Sequence, residues 1–242
     1  MTRYAYFVDL SLCAGCEACT VACQALNGLD WNIRYTKVDR MVVGTYPNVK
    51  SSFVTTQCLH CDDPPCAAVC PTGATYKTAD GPVKIDDENC IGCQYCMTAC
   101  PYEARTYDAA ADVVRKCSFC HDRLGAGERP ACEQTCLTGA RMVGDLDDPT
   151  DPIHQQISAP DVIHIEGTSF YYRLPEHLDR AALPADFKPS VATFAWQSIV
   201  QPVGQILMGS TVAALLLSLA VNAFRNRGKE GAQDGNGQGE RT

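Results

Sequence analysis

Basic charge is in short supply in this sequence. Twenty Lys and Arg stand against 28 Asp and Glu, a net charge of −8. A nucleic-acid binder needs a basic patch to displace phosphate counterions. No run here interleaves Lys or Arg with aromatics, so that class is excluded. The N-terminus also lacks a basic stretch, an apolar stretch and a small-residue cleavage site. Instead MTRYAYFVDLSLCAGC runs straight into cysteine at position 13. The chain is therefore expected to carry no export signal of its own. Histidine is confined to His60, His121, His154, His164 and His177, and charge is missing altogether from residues 189–224.

Cysteine, in contrast, is abundant: sixteen in 242 residues. They fall into four groups of four, with none left over. The groups are Cys13, Cys16, Cys19 and Cys23; Cys58, Cys61, Cys66 and Cys70; Cys90, Cys93, Cys96 and Cys100; and Cys117, Cys120, Cys132 and Cys136. Such density calls for disulfides, zinc or iron–sulfur clusters. With 46 % hydrophobic residues the chain can build a core, so it does not need disulfide staples at this density. Structural zinc prefers two C-x2-C pairs, or one pair with histidines, across a longer loop. Groups one and three are instead C-x2-C-x2-C-x3-C, the bacterial ferredoxin run, in which three thiolates wrap one cubane and the fourth reaches another. Pro71 and Pro101 complete the Cys-Pro ending in groups two and three, whereas Gln24 and Leu137 stand there in groups one and four. Groups two and four keep the other spacings and carry longer second loops. Gly15, Gly73 and Gly92 lie beside cysteines, where a small residue lets backbone N–H groups approach cluster sulfur. Each group supplies four thiolates, and Cys93 fills the second place of group three, so four [4Fe–4S] clusters and no three-iron cluster are expected.

Between the groups, strands are expected over Tyr4–Leu10, Ser51–Gln57 and Gly81–Asp86, the last after the Asp80-Gly81 turn. Short helices are expected after the fourth cysteine of a group. Val162–Ile165 and Ser169–Leu174 read as strands within a Pro- and Asp-rich connecting segment.

The blocks CLHCDDPPCAAVCPTGA, ENCIGCQYCMTACPYEAR and RKCSFCHDRLGAGERPACEQTC resemble the iron–sulfur (beta) subunit of molybdopterin oxidoreductases of the dimethyl sulfoxide reductase and formate dehydrogenase family. The resemblance covers about residues 3–145. It implies an α+β fold of two ferredoxin-like modules, one nested in the other, with long loops. It also implies the ligand sets. One cluster takes Cys58, Cys61, Cys66 and Cys100, and a second takes Cys90, Cys93, Cys96 and Cys70. A third takes Cys13, Cys16, Cys19 and Cys136, and a fourth takes Cys117, Cys120, Cys132 and Cys23. The short link from Cys70 to Cys90 supports the inner pairing independently; the outer pairing rests on the resemblance. The implied partners are a catalytic subunit with a molybdenum or tungsten bis-pterin cofactor and a membrane subunit that handles quinone, with or without cytochrome b haem. A ferredoxin-like subunit of a membrane-bound hydrogenase is the alternative, and a zinc scaffold is a third reading of another class.

The expected domains are residues 1–145 for the clusters, 146–190 for the connecting segment, 191–226 for one transmembrane helix and 227–242 for a disordered tail. The stretch VGQILMGSTVAALLLSLAVNAF spans roughly 33 Å as a helix, enough to cross a bilayer. Arg225, Arg227 and Lys229 follow it, which by the positive-inside rule puts the C-terminus in the cytoplasm and the cluster domain outside. Without a signal of its own, the chain is expected to cross the membrane folded, carried by a partner with a twin-arginine signal. No histidine in this stretch can ligate haem. No catalytic site and no small-molecule substrate are expected: Asp62, Asp63 and Glu103 read as loop residues. His60 and His121 read as ordinary packing or surface histidines, and Arg105, Arg115, Lys116 and Arg123 as solvated faces.

Overall fold

In the computed structural model the described residues are 2–185. The expected transmembrane helix and tail lie outside them. Among the described residues no helix is long and apolar enough to cross a membrane.

The strands are β1 (Tyr4–Asp9), β2 (Thr36–Val43), β3 (Lys50–Gln57), β4 (Thr75–Lys77), β5 (Val83–Ile85), β6 (Thr106–Asp108), β7 (Val113–Arg115), β8 (Arg141–Asp145), β9 (Val162–His164) and β10 (Phe170–Arg173). The helices are α1 (Ala18–Asn27), α2 (Pro65–Ala68), α3 (Tyr95–Thr98), α4 (His121–Gly125), α5 (Ala131–Gln134) and α6 (Ile153–Ile157). Three antiparallel hairpins, β2–β3, β4–β5 and β6–β7, each carry the chain from one cysteine group to the next. In β4–β5 the expected Gly81 turn has φ 109°, a region open to glycine because it has no Cβ.

The short helices sit elsewhere than expected. They precede the fourth cysteine: α2, α3 and α5 hold Cys66, Cys96 and Cys132, the third cysteines of their groups. The reason is spacing. A C-x3-C step is about one helical turn, so a single turn advances the chain by about 5 Å from one thiol to the next. In group one the helix continues through Cys23 to Asn27 and ends at Gly28, φ 58°.

A four-stranded sheet, order β8-β1-β10-β9, closes the chain on itself. Strand β1 pairs antiparallel with β8, Tyr6 opposite Val143, and parallel with β10, Tyr6 opposite Phe170. The segment after residue 145 thus contributes two strands to this sheet, beyond packing on it. Side chains alternate across a strand. Tyr6 and Val8 therefore face a core with Leu59, Phe119, Ile165, Phe170 and Tyr172. Ala5 and Phe7 face the other way onto Ile153 of α6. Pairing β1 with β8 draws group one, just after β1, to group four, just before β8.

Candidate metal centres

Each cysteine group opens with the same local device. The residue before the second cysteine is left-handed: Gly15 at φ 68°, His60 at 49°, Gly92 at 64° and Phe119 at 63°. Reversing the chain there turns consecutive N–H groups to one side, a concavity that suits anions. At Gly15 a Cβ would overlap the Phe53 ring, so glycine is needed for space as well as for backbone freedom. His60 and Phe119 accept the left-handed cost, about 1–2 kcal/mol, and are buried together. Their rings meet edge-to-face at 4.7 Å, and His60 Nδ1 accepts the Val83 N–H at 2.9 Å. Burial, then Lys116, Arg105 and Lys77, hold His60 well below the ordinary histidine range. The packing reading of His60 therefore agrees with its surroundings.

A second device follows the last cysteine of groups two, three and four. Gly73, Glu103 and Gly139 are left-handed, and each returns its N–H to the carbonyl of Cys70, Cys100 or Cys136 at 3.2–3.3 Å. At Cys70 and Cys136 a threonine hydroxyl two residues on stands 3.7 Å from the sulfur. Burial raises both thiols. At Cys70 the Thr75 N–H and the Thr72 hydroxyl outweigh it, and at Cys136 the Thr138 hydroxyl and the Ala140 N–H do so, leaving both below the ordinary value.

The thiols come together across the cysteine groups. Burial pushes the Cys61 thiol up, and Cys58, Cys66 and Cys100 push it further. Cys70, Cys90, Cys93 and Cys96 line one hollow, and Cys13, Cys16, Cys19 and Cys136 line another. Cys23 is pushed up to about 12 by burial, then by Cys132 and Cys120. Burial, then Cys23 and Cys132, raises Cys117 in turn. The sets are linked through shared apolar clusters. Cys66 and Cys96 share one apolar cluster, Cys58 and Cys117 another, and Cys19 and Cys132 a third.

Among the described residues, no three His, Cys, Asp or Glu side chains converge closely enough to hold a single metal ion. Four thiols lining one hollow suit the four-thiolate ligation of an iron–sulfur core. The cations nearby differ from their expected place. Arg105 and Lys116 are buried, 6 % and 5 % exposed, and are not solvated. Lys116 donates to the carbonyls of Val83 and Cys117. Arg115 pairs with Asp87 and Asp108, and Arg123 with Glu128, nearer the expected surface role. His121 meets Asp80 at 2.8 Å, and Lys77 meets Asp62 at 3.4 Å. Sequence reasoning passed over Arg141, 4 % exposed, and Tyr6, whose hydroxyl lies 3.0 Å from Cys132 Sγ. Arg141 had a signal: Ala-Arg follows Cys100 and Cys136 at the same distance.

Residues 49–146, carrying the last three cysteine groups, match the 4Fe-4S dicluster domain family. The sulfite dehydrogenase B subunit of Allochromatium vinosum is 38 % identical over 63 % of this chain and 73 % of its own length. The tetrathionate reductase B subunit of Salmonella typhimurium is 41 % identical over 72 % of this chain and 74 % of its own. The selenate reductase B subunit of Mesobacillus selenatarsenatis is 38 % identical over 66 % of each. With the cysteine sets arranged as ferredoxin-like centres, the chain belongs to the family of electron-transfer iron–sulfur (beta) subunits of molybdopterin oxidoreductases.

Proposed function

We propose that the chain is a four-cluster wire of two nested ferredoxin-like modules, relaying single electrons between a catalytic subunit and a membrane quinone-reactive subunit. The observation that supports this reading is the file of apolar clusters that join thiols of successive sets. It runs from the Cys90 set through the apolar cluster shared by Cys96 and Cys66 to the Cys58 set, through the one shared by Cys58 and Cys117 to the Cys117 set, and through the one shared by Cys132 and Cys19 to the Cys13 set. Clusters bound by four thiolates have no open coordination place for substrate and exchange one electron at a time. The chain's own work is to fix their positions and shield them. His60 and Phe119 fill the junction of the two modules with apolar ring surface. Cys93 and Cys16, at the two ends of the file, are exposed, where partners can exchange electrons.

The relatives are subunits of reductases and dehydrogenases. By that likeness the catalytic partner carries a molybdenum or tungsten bis-pterin cofactor and binds the substrate. From the sequence of residues 191–226, which lie outside the described residues, we infer a single transmembrane anchor, with the cluster domain outside and the C-terminus in the cytoplasm. This orientation is supported by the charge-free run and the basic residues after it.

Anaerobic iron and sulfide analysis with EPR of the dithionite-reduced chain tests the wire. About sixteen of each per chain, with coupled signals, is the expected result, since each cubane holds four iron and four sulfide. Zinc in place of iron would sink it. Protease treatment of intact spheroplasts tests the orientation, and a protected cluster domain would reverse it.

A further inference from the structure

Two buried arginines occupy matching places in the repeat. Arg105 is the fifth residue after Cys100 and Arg141 the fifth after Cys136, and each follows an alanine. They are 6 % and 4 % exposed. Arg105 Nη1 donates to Thr75 Oγ1 at 3.2 Å. Thr75 is itself the fifth residue after Cys70. Arg141 Nη1 donates to Gln57 Oε1 at 2.8 Å and to the Tyr6 hydroxyl at 3.2 Å. In both, Nη2 is buried and has no hydrogen-bond partner. Among the described residues neither guanidinium has a carboxylate partner within 4.0 Å.

A buried cation with no counter-charge is costly, so these two need negative charge from another source. The thiols supply it. Arg105 holds Thr75, whose own N–H donates to Cys70 Sγ at 3.4 Å in one set of the inner module, and the thiols that act on its charge are Cys66, Cys96 and Cys58, from both sets. Arg141 faces Cys132 and Cys19, one from each set of the outer module, and lines the hollow of Cys13, Cys16, Cys19 and Cys136. Each arginine therefore sits between the two sets of its own module.

We propose that Arg105 and Arg141 are the shared counter-charges of the inner and outer cluster pairs, each setting the reduction potentials of its own pair and not of the other. The proposal rests on the four-cluster reading. Reduction by dithionite adds one electron to a cluster, breaks no bond and moves no proton. The added negative charge falls beside a fixed guanidinium in a low-dielectric interior, where the attraction is strong. Arginine remains protonated throughout, so the effect is a constant upward offset of the pair. Because both members of a pair share one cation, they are raised together, which keeps the electron moving within a module instead of trapping it on one cluster.

The test is a potentiometric EPR titration of the full chain with Arg105→Gln, Arg141→Gln and the charge-keeping Arg105→Lys. Arg105→Gln is expected to lower two of the four midpoint potentials, making reduction at least tenfold less favourable, or 59 mV for one electron. Arg141→Gln is expected to lower the other two. Arg105→Lys is expected to move its pair by less than Arg105→Gln does. Unchanged potentials, the same pair moving in both glutamine variants, or an equal shift in Arg105→Lys would each overturn the proposal. Arg105→Met, which removes the charge and brings no polar group of its own into the site, replaces Arg105→Gln if the latter loses iron. Loss of iron from both neutral variants also overturns it, assigning Arg105 to folding alone. Iron analysis of the unsubstituted chain separates these outcomes from a failure of the four-cluster reading.

Discussion

Replacing Tyr6 with phenylalanine removes one oxygen from the most buried part of the outer module. The ring stays, stacked on Phe170 at 4.9 Å with an interplanar angle of 1°, so the fold is retained. Arg141 Nη1 keeps its bond to Gln57 at 2.8 Å. What disappears is the contact of the hydroxyl with Cys132 Sγ at 3.0 Å, together with the second bond of Arg141 Nη1, the one to this hydroxyl at 3.2 Å. Burial, then the charge of Cys132, holds the Tyr6 hydroxyl well above its ordinary range, so it remains protonated and donates to thiolate sulfur. A hydrogen bond to a charged group contributes about 1.5–3 kcal/mol. If about half of a ~2 kcal/mol bond is gained only when the cluster is reduced, its loss costs the reduced state about 1 kcal/mol. At 1.36 kcal/mol and 59 mV per tenfold, this lowers one midpoint potential by roughly 40 mV. The assay is a redox titration followed by EPR, and the component that moves should be the one that Cys132→Ser perturbs. An unmoved or raised potential, or movement of a component belonging to the Cys58 or Cys90 set, would refute the reasoning.

Cys66→Ser and Cys70→Ser lie four positions apart yet belong to different sets, so they should perturb different EPR components. Cys66→Ser should match Cys58→Ser, and Cys70→Ser should match Cys90→Ser; a common component would show that the crossing is wrong. Phe170→Ala empties a fully buried site between Tyr6, Phe119 and Tyr172 and should cost about 3–5 kcal/mol. It should be read as faster bleaching of the cluster absorbance in guanidinium, and unchanged bleaching would deny β10 a place in the core. Gly15→Ala meets both the left-handed backbone cost, about 1–2 kcal/mol, and the Phe53 ring, whereas Gly73→Ala meets open space. Iron retention should therefore fall much further in the first variant, and equal retention would count against the steric argument.

The chemistry of the centres was legible in the sequence because ligand spacing is local: a C-x2-C-x2-C run states its geometry within about ten residues. The closeness of Cys70 to Cys90, Cys93 and Cys96 was legible too, through the short link between Cys70 and Cys90. Strands β1, β3, β5, β9 and β10 followed from apolar, β-branched and aromatic runs bounded by turn residues. Strand β2 escaped because Asp39 and Arg40 interrupt its apolar alternation; its register against β3, Thr36 opposite Gln57, supplies what the pattern lacks. The outer pairing depends on β1 meeting β8 across most of the cluster domain, and such long-range pairing leaves no local trace. Arg105 and Lys116 were misread for an electrostatic reason. Buried cations are rare without a counter-charge, and here the counter-charge is thiolate sulfur, whose position emerges only once the chain has folded.

The left-handed residues of the four opening loops differ along the file. At its ends, beside exposed Cys16 and Cys93, the residue is glycine; at its middle, beside buried Cys61 and half-buried Cys120, it is a buried ring, His60 or Phe119. Contact and insulation are thus assigned by side-chain bulk at a single backbone position. Dioxygen and chelators reach bare terminals first, so corrosion of the isolated protein starts at the Cys13 and Cys90 sets, and the central joint is the last part to go dark.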